Sequence, residues 1–325
     1  MGYNRKLMEA ITQCFAPSGC EYRLRELIAE ELRAYADEMT VDPLGNLIVR
    51  KIGNGAKILL SAHMDQVGMM ISYIDDRGYL HFCDDGGEDC DIYFGHRVIF
   101  QNGLQGIIYS SKEKGPRTIK DLYIDIGTSS REESEKLVSV GDFCIYDSNY
   151  YENGDYIFSR ALDDRSGCYA LVEAFKQLKE TKYDVYFAFT VQEEVGTLGA
   201  RTTGYRVEPD IGISVDVTDA DDQPGGQGER SLGCGTVIGF KNKYTIFDPE
   251  LAAMLEDTAR KNQIKYVTEA GSIGGTDARE YQVTRGGAKA GSISIPNRYM
   301  HTGTEVISKS DVEETIKLIT ALLNS

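Results

Sequence analysis

Tyr183-Asp184-Val185-Tyr186-Phe187-Ala188-Phe189-Thr190-Val191-Gln192-Glu193-Glu194-Val195-Gly196 reads as one strand that delivers two adjacent carboxylates into a glycine-containing turn. Val, Tyr, Phe and Thr favour extended backbone, which makes Tyr183 to Thr190 the strand. Neighbouring side chains at a strand's end point in different directions, so Glu193 and Glu194 can serve different partners. One could hold a metal while the other moves a proton. Taken alone, a Glu-Glu pair is more often a solvated acidic loop. The weight of the reading therefore comes from the rest of the chain.

Working outward, Lys57 to Ala62 is a short apolar run ending in Ser61-Ala62-His63-Met64-Asp65, as expected of a strand buried on both faces. Ile211–Val217 and Gly291–Pro296 read as further strands, and Val41 to Lys51 alternates around Asn46-Leu47-Ile48-Val49. Helices are predicted over Asn4–Phe15, over Ser166–Lys179, from Asp248-Pro249 to about Asn262, and from Lys309 or Ser310 through Leu323. Ser18 followed by Glu21 reads as a capping box opening a helix to about Met39.

Between Met69 and about Phe158 the pattern changes to short runs bounded by turn residues: Met69–Ile74, Tyr79–Phe82, Arg97–Phe100, Gln105–Tyr109 and Asp142–Tyr146. Asp76-Arg77-Gly78, Asn102-Gly103 and Asn153-Gly154 mark turns, and Ser130–Leu137 is a short helical candidate. Such a block is a small all-β unit, barrel-like in form. The expected architecture is an α/β domain made of residues 1–68 and 159–325, interrupted by a β-rich insertion at 69–158. Thr218–Gly239, rich in glycine and acids, is expected to be a loop near a site.

Composition narrows the partners. The 325 residues carry a net charge of −16, which repels a nucleic-acid backbone. No stretch approaches the twenty apolar residues of a membrane span, and the charged N-terminus shows no signal-peptide pattern, so a cytoplasmic protein is expected. Seven cysteines without CxxC spacing suggest reduced, packed thiols. Only four histidines, His63, His81, His96 and His301, are available as imidazole ligands.

In open α/β sheets ligands bind beyond the carboxyl ends of the strands. His63 and Asp65, Glu193 and Glu194, Asp216, and His301 all follow or end predicted strands, while Asp163-Asp164 precedes a helix. Each has an ordinary explanation by itself, such as N-cap, turn residue or packed imidazole. Their convergence on one sheet edge is what calls for a metal centre.

Four phrases carry a family resemblance: Ala62-His63-Met64-Asp65-Gln66-Val67-Gly68, Ala161-Leu162-Asp163-Asp164-Arg165-Ser166-Gly167, Gln192-Glu193-Glu194-Val195-Gly196 and Tyr299-Met300-His301-Thr302. Together with Ile124 to Arg131 and Ser214 to Thr218 they resemble the M42 family of dinuclear-metal aminopeptidases, which includes glutamyl aminopeptidases and the tetrahedral TET peptidases. The resemblance implies a mixed-sheet α/β metallopeptidase domain with helices on both faces and an inserted PDZ-like β domain. It implies two divalent ions per subunit, zinc first, with cobalt or manganese as alternatives, and assembly of dimers into a dodecamer. Carried over, His63 and Asp216 are the terminal ligands of one ion and Glu194 and His301 those of the other. Asp163 bridges both, Glu193 is the general base, and Asp65 orients the His63 imidazole.

Two positions depart from the family pattern. Gln66 stands where Glu is common, and His301-Thr302-Gly303 where His-Ser-Pro is frequent. Gly275, Thr276 and Asp277 resemble a segment lining the substrate pocket, but equally read as a turn and N-cap before a helix. The expected activity is removal of N-terminal residues from peptides. Glycoside hydrolysis by paired carboxylates is the competing enzyme class, and a metal-free scaffold protein is the competing non-enzyme class.

Overall fold

A computed structural model describes residues 2–85, 90–115, 117–272 and 274–324. Helix α1 (Arg5–Gln13) starts at Asn4, whose side chain accepts from the Leu7 amide. Helix α2 spans Tyr22–Leu32 and stops short of the predicted Met39. The β-branched Thr40 and Val41 instead lie in strand β1 (Glu38–Val41), which pairs antiparallel with β2 (Leu47–Lys51). The predicted capping box does not form either. Glu21 precedes α2 without a side-chain cap, because its carboxylate and the Ser18 hydroxyl are engaged elsewhere.

Strand β3 (Lys57–His63) leads into the insertion. There β4 (Gly68–Ile74), β5 (Leu80–Asp85), β6 (Arg97–Phe100), β7 (Gln105–Ser110), β8 (Leu122–Asp125) and β9 (Phe143–Tyr146) close a barrel in the order β4-β5-β8-β7-β6-β9. Two single-turn helices, α3 (Cys90–Tyr93) and α4 (Arg131–Ser134), sit in its connections. Closure removes every free edge. Met69, Ile71, Leu80, Phe82, Val98, Phe100 and Ile108 are among the side chains filling the interior.

Strands β10 (Tyr151–Asn153) and β11 (Tyr156–Ser159) fall inside the span read as insertion, yet they pair with the large sheet through β17. The remaining elements are α5 (Leu162–Lys176), β12 (Asp184–Thr190), α6 (Leu198–Val207), β13 (Ile211–Asp219), β14 (Thr236–Lys241), α7 (Pro249–Lys261), β15 (Tyr266–Ala270), α8 (Ala278–Gln282), β16 (Lys289–Arg298), β17 (Glu305–Ser308) and α9 (Lys309–Leu323). Among the described residues, the large sheet runs β1-β2-β12-β3-β13-β16-β17-β11-β10, with β14 and β15 attached beside β16. Its centre is parallel: β12 with β3, β3 with β13, and β13 with β16.

The strand period of two sorts the central side chains between layers. Leu47, Val49, Ile58, Leu60, Val185, Phe187 and Phe189 face the large core under α1, α2, α5 and α9. Ile48, Leu59 and Ala188 face the other side, against Ala200 and Val207 of α6 and Tyr281 of α8. Burying one of these Phe or Leu side chains is worth about 1.5–3 kcal/mol. The outcome is an α/β domain with a mixed sheet and helices on both faces, carrying a closed antiparallel barrel. This is the expected fold class.

Candidate metal centre

The parallel strands β3, β12 and β13 all run toward the same edge, and that edge gathers the polar residues. His63 is the last residue of β3 and pairs in register with Thr190 at the end of β12. Asp216 lies late in β13. Asp163 sits at the mouth of α5, where residues 163 and 164 have non-helical dihedrals.

Asp163 holds the centre of the cluster. Its Oδ1 lies 3.0 Å from Nε2 of His63, and its Oδ2 lies 3.3 Å from Nε2 of His301. The same His301 nitrogen is 3.3 Å from Glu194 Oε2, and His63 Nε2 is 3.9 Å from Asp216 Oδ1. Donors at normal bond length around one tetrahedral ion stand about 3.4 Å apart. Two triplets, His63-Asp163-Glu194 and His63-Asp164-Asp216, have donor atoms all within 4.8 Å of one another. The other oxygen of Glu194, Oε1, is buried without a hydrogen-bond partner. These residues fit a divalent cation both in spacing and in donor chemistry.

Electrostatics point the same way. Burial, with repulsion from Asp163, pushes Asp216 up to about 8 against the pull of His63. Burial raises Glu194 as well, although His301 opposes it. Glu193 is raised well above the usual carboxylate range by burial and by the nearby Asp216, Glu194 and Asp277, with His63 opposing. Burial resists protonation of both histidines, yet Asp163 and Asp65 hold His63 well above its ordinary value, and Glu194 and Asp163 push His301 up to about 12. A buried excess of carboxylates is costly unless positive charge enters it.

Asp65 is fully buried behind His63, with Oδ1 3.4 Å from Nδ1. Nδ1 also lies 3.2 Å from the Asp65 carbonyl, which leaves Nε2 facing Asp163. Asp65 has a second task the sequence did not suggest. Its two oxygens accept the amides of Glu193 at 3.0 Å and Glu194 at 3.1 Å. The two preceding amides are also captured by side chains: Val191 by Asn46 Oδ1 at 2.9 Å and Gln192 by Glu21 Oε1 at 3.1 Å. Thus four consecutive amides of the Glu-Glu turn donate to buried acceptors from three other segments. Gly199 packs against the same turn, where a Cβ would lie 2.3 Å from Asn46 Oδ1 and 2.4 Å from the Val191 carbonyl. Only glycine fits there.

His63, Asp163, Glu194, Asp216 and His301 are brought together, with Glu193 beside them. Thr276 and Asp277 are buried: Ser214 Oγ donates to Thr276 Oγ1 at 2.9 Å, and Thr190 Oγ1 donates to Asp277 Oδ2 at 2.7 Å, while Asp277 Oδ1 is buried without a hydrogen-bond partner. Asp277 stands at the N-cap position of α8 but makes no side-chain cap there. Gly275 packs close to the Tyr244 ring, where a Cβ would lie 2.9 Å from Cδ2.

Two further residues were missed from sequence. Asp164, treated as a cap, accepts from the His63 amide at 3.1 Å and from the Gly167 amide at 3.1 Å. Glu305 accepts from the Asp163 amide at 2.8 Å and from Asn297 Nδ2 at 3.0 Å, and burial plus repulsion from Asp163 pushes it up to about 8. The contact of Asp164 with Gly167 has the i, i+3 spacing of a helix cap; its contact with His63 and those of Glu305 have no spacing signature. Gly303, a departure from the family pattern, abuts the barrel: a Cβ there would come 3.0 Å from His96 Nδ1. Gln66 is buried, and its Oε1 lies 3.4 Å from the Arg165 guanidinium.

The profile of the M42 glutamyl aminopeptidase family matches residues 45–318. The chain belongs to the M42 family. It is an aminopeptidase by that membership, and its relatives carry the same activity in their names. An aminopeptidase homologue of Acetivibrio thermocellus is 42% identical, with 96% of each chain covered. The lysyl aminopeptidase of Pyrococcus furiosus is 34% identical over 98% of this chain and 96% of its own. An aminopeptidase from the archaeon Desulfurococcus kamchatkensis superposes with a TM-score of 0.95 at 34% identity, covering 98% of this chain and 94% of its own. The TET1 peptidase of Pyrococcus horikoshii, which can assemble into a tetrahedron or a large octahedral shell, gives 0.88 at 35%, with 98% of each chain covered. A Thermotoga maritima protein named as an endoglucanase is also similar, at 0.82 and 34%, covering 97% and 96%. No described helix of this M42 chain is long and apolar enough to cross a membrane.

Proposed function

We propose that this chain removes single N-terminal residues from peptides at a centre of two divalent cations, zinc first, with cobalt or manganese as alternatives. The observation that carries the reading is the division of Asp163, whose two oxygens face two different imidazoles at 3.0 and 3.3 Å. One cation would be held by His63, Asp216 and Asp163, the other by His301, Glu194 and Asp163. Bound there, such ions supply Lewis-acid polarisation of the scissile carbonyl and of the attacking water.

The chain's own residues do the rest. Glu193 is the general base: its carboxylate makes no side-chain hydrogen bond among the described residues, and its environment favours accepting a proton. It takes the proton from water and returns it to the leaving amine. Asp65 keeps His63 oriented and holds the amides of both glutamates, so base and ligand share one support. In this reading 1–68 and 159–325 form the catalytic unit around an insertion at 69–158, whose barrel strands end at Tyr146. The subunits would pair into dimers that build a dodecamer; among similar structures, the TET1 peptidase of Pyrococcus horikoshii is seen as a dodecamer.

The imidazoles set between carboxylates favour peptide hydrolysis over glycoside chemistry, which needs two carboxyl groups and no histidine ligands. A Glu193→Gln variant is the direct test. It keeps its metal content while turnover of aminoacyl-p-nitroanilides falls about 10²–10⁴-fold, the usual weight of a positioned base. Retained turnover would show that the base is another group.

A further inference from the structure

We propose that Glu21, backed by Ser18, is a positioning residue that fixes the Glu193-Glu194 turn from outside the sheet. The inference rests on the reading of Glu193 as base. Ser18 and Glu21 lie in the connection between α1 and α2, far from the strand-end motifs, and both are buried. Ser18 Oγ donates to Asp65 Oδ2 at 2.7 Å. Glu21 Oε1 accepts from its own turn, the Gly19 amide at 2.8 Å, and from the Gln192 amide at 3.1 Å.

Gln192 is the residue that most needs this support. Its φ of 56° places a side chain with a Cβ in the left-handed region, which persists only where the surroundings enforce it. The turn leaves β12 at Thr190, so its amides have no strand partner. Glu21 supplies one acceptor at the strained residue, and Ser18 orients the carboxylate that supplies the next two. The connection itself is anchored. The buried Arg165 guanidinium, two residues after Asp163, donates to the Ile11 carbonyl at 2.8 Å and the Ala16 carbonyl at 3.0 Å. One short segment therefore ties the turn bearing Asp163 to the turn bearing Glu193. Burial and repulsion from Asp65 push the Glu21 carboxyl up to about 7.

The experiment compares Glu21→Ala, Glu21→Gln and Ser18→Ala in the full chain, each assayed for metal content, thermal midpoint, kcat and KM. Glu21→Ala is expected to retain its metals and keep KM within about twofold while kcat drops about 10–100-fold, the scale of a displaced reacting group. Glu21→Gln keeps an Oε1 acceptor for both amides and restores kcat to within about fivefold of the parent. Ser18→Ala lowers kcat about 3–10-fold by the same route, and it decides the matter if Glu21→Ala does not fold. Unchanged kcat in Glu21→Ala, or in Ser18→Ala where the former does not fold, would overturn the proposal. So would a loss that Gln does not restore, or one that tracks metal loss. Full turnover in Glu193→Gln would instead remove the base assignment itself, whatever Glu21 does.

Discussion

At the scale of single residues, His301 shows how much depends on one imidazole. It is about a third exposed, sits on a loop with φ of 63°, and faces Asp163 Oδ2 and Glu194 Oε2 equally at 3.3 Å. Replacing it with Ala leaves His63, Asp163 and Asp216 in place but removes the imidazole whose Nε2 stands 3.3 Å from Glu194 Oε2. His301→Ala is therefore expected to lose about one of two ions per chain after dialysis, read by elemental analysis. Unchanged stoichiometry would mean that His301 is not a ligand. Residues of this kind were legible in the sequence because they sit at predictable strand ends. Ser18, Glu21, Asp164 and Glu305 were not. They act on backbone amides or on other carboxylates, and such contacts leave no periodicity or motif for a single sequence to reveal.

At the scale of elements, β2 and β12 are joined by more than their ladder. Arg50 donates through Nε and Nη2 to both oxygens of Asp184 at 2.9 Å each, and its guanidinium stands 5.1 Å from the Tyr186 ring centroid. Burial opposes ionisation of Asp184, but the Arg50 pairing outweighs it and lowers the carboxyl below its usual range. A carboxyl depressed in the folded state contributes stability that is present above the unfolded value, near about 3.9, and is lost as pH falls through the folded value. Asp184→Asn should cost about 1 kcal/mol at neutral pH. Its deficit relative to the parent should begin to shrink in urea melts as pH falls below about 4 and vanish only below the depressed folded value. A deficit independent of pH would show that packing, not charge, is what the substitution removes.

Elements were legible in proportion to their periodicity. Arg97–Phe100 was read at its true bounds, and the central strands within a few residues. Strand β14 escaped because it emerges from the glycine-rich acidic stretch assigned to a loop, and β8 because its four residues lie between polar neighbours. Strands β10 and β11 look like any short hairpin in sequence. Only their pairing with β17 assigns them to the large sheet.

At the scale of the whole molecule, the barrel packs against the His301 loop, where a Cβ on Gly303 would come 3.0 Å from His96 Nδ1. At the adjoining edge of the sheet, buried carboxylates outnumber imidazoles, and burial raises Glu193, Asp216 and Glu305 above the usual carboxylate range. The most direct test is to strip the purified protein with a chelator, add Zn²⁺, Co²⁺ or Mn²⁺ in measured equivalents, and follow release of p-nitroaniline from a panel of aminoacyl substrates. The account predicts no turnover in the stripped protein and recovery that saturates at two equivalents per chain. Turnover indifferent to the chelator, or complete at one equivalent, would contradict it.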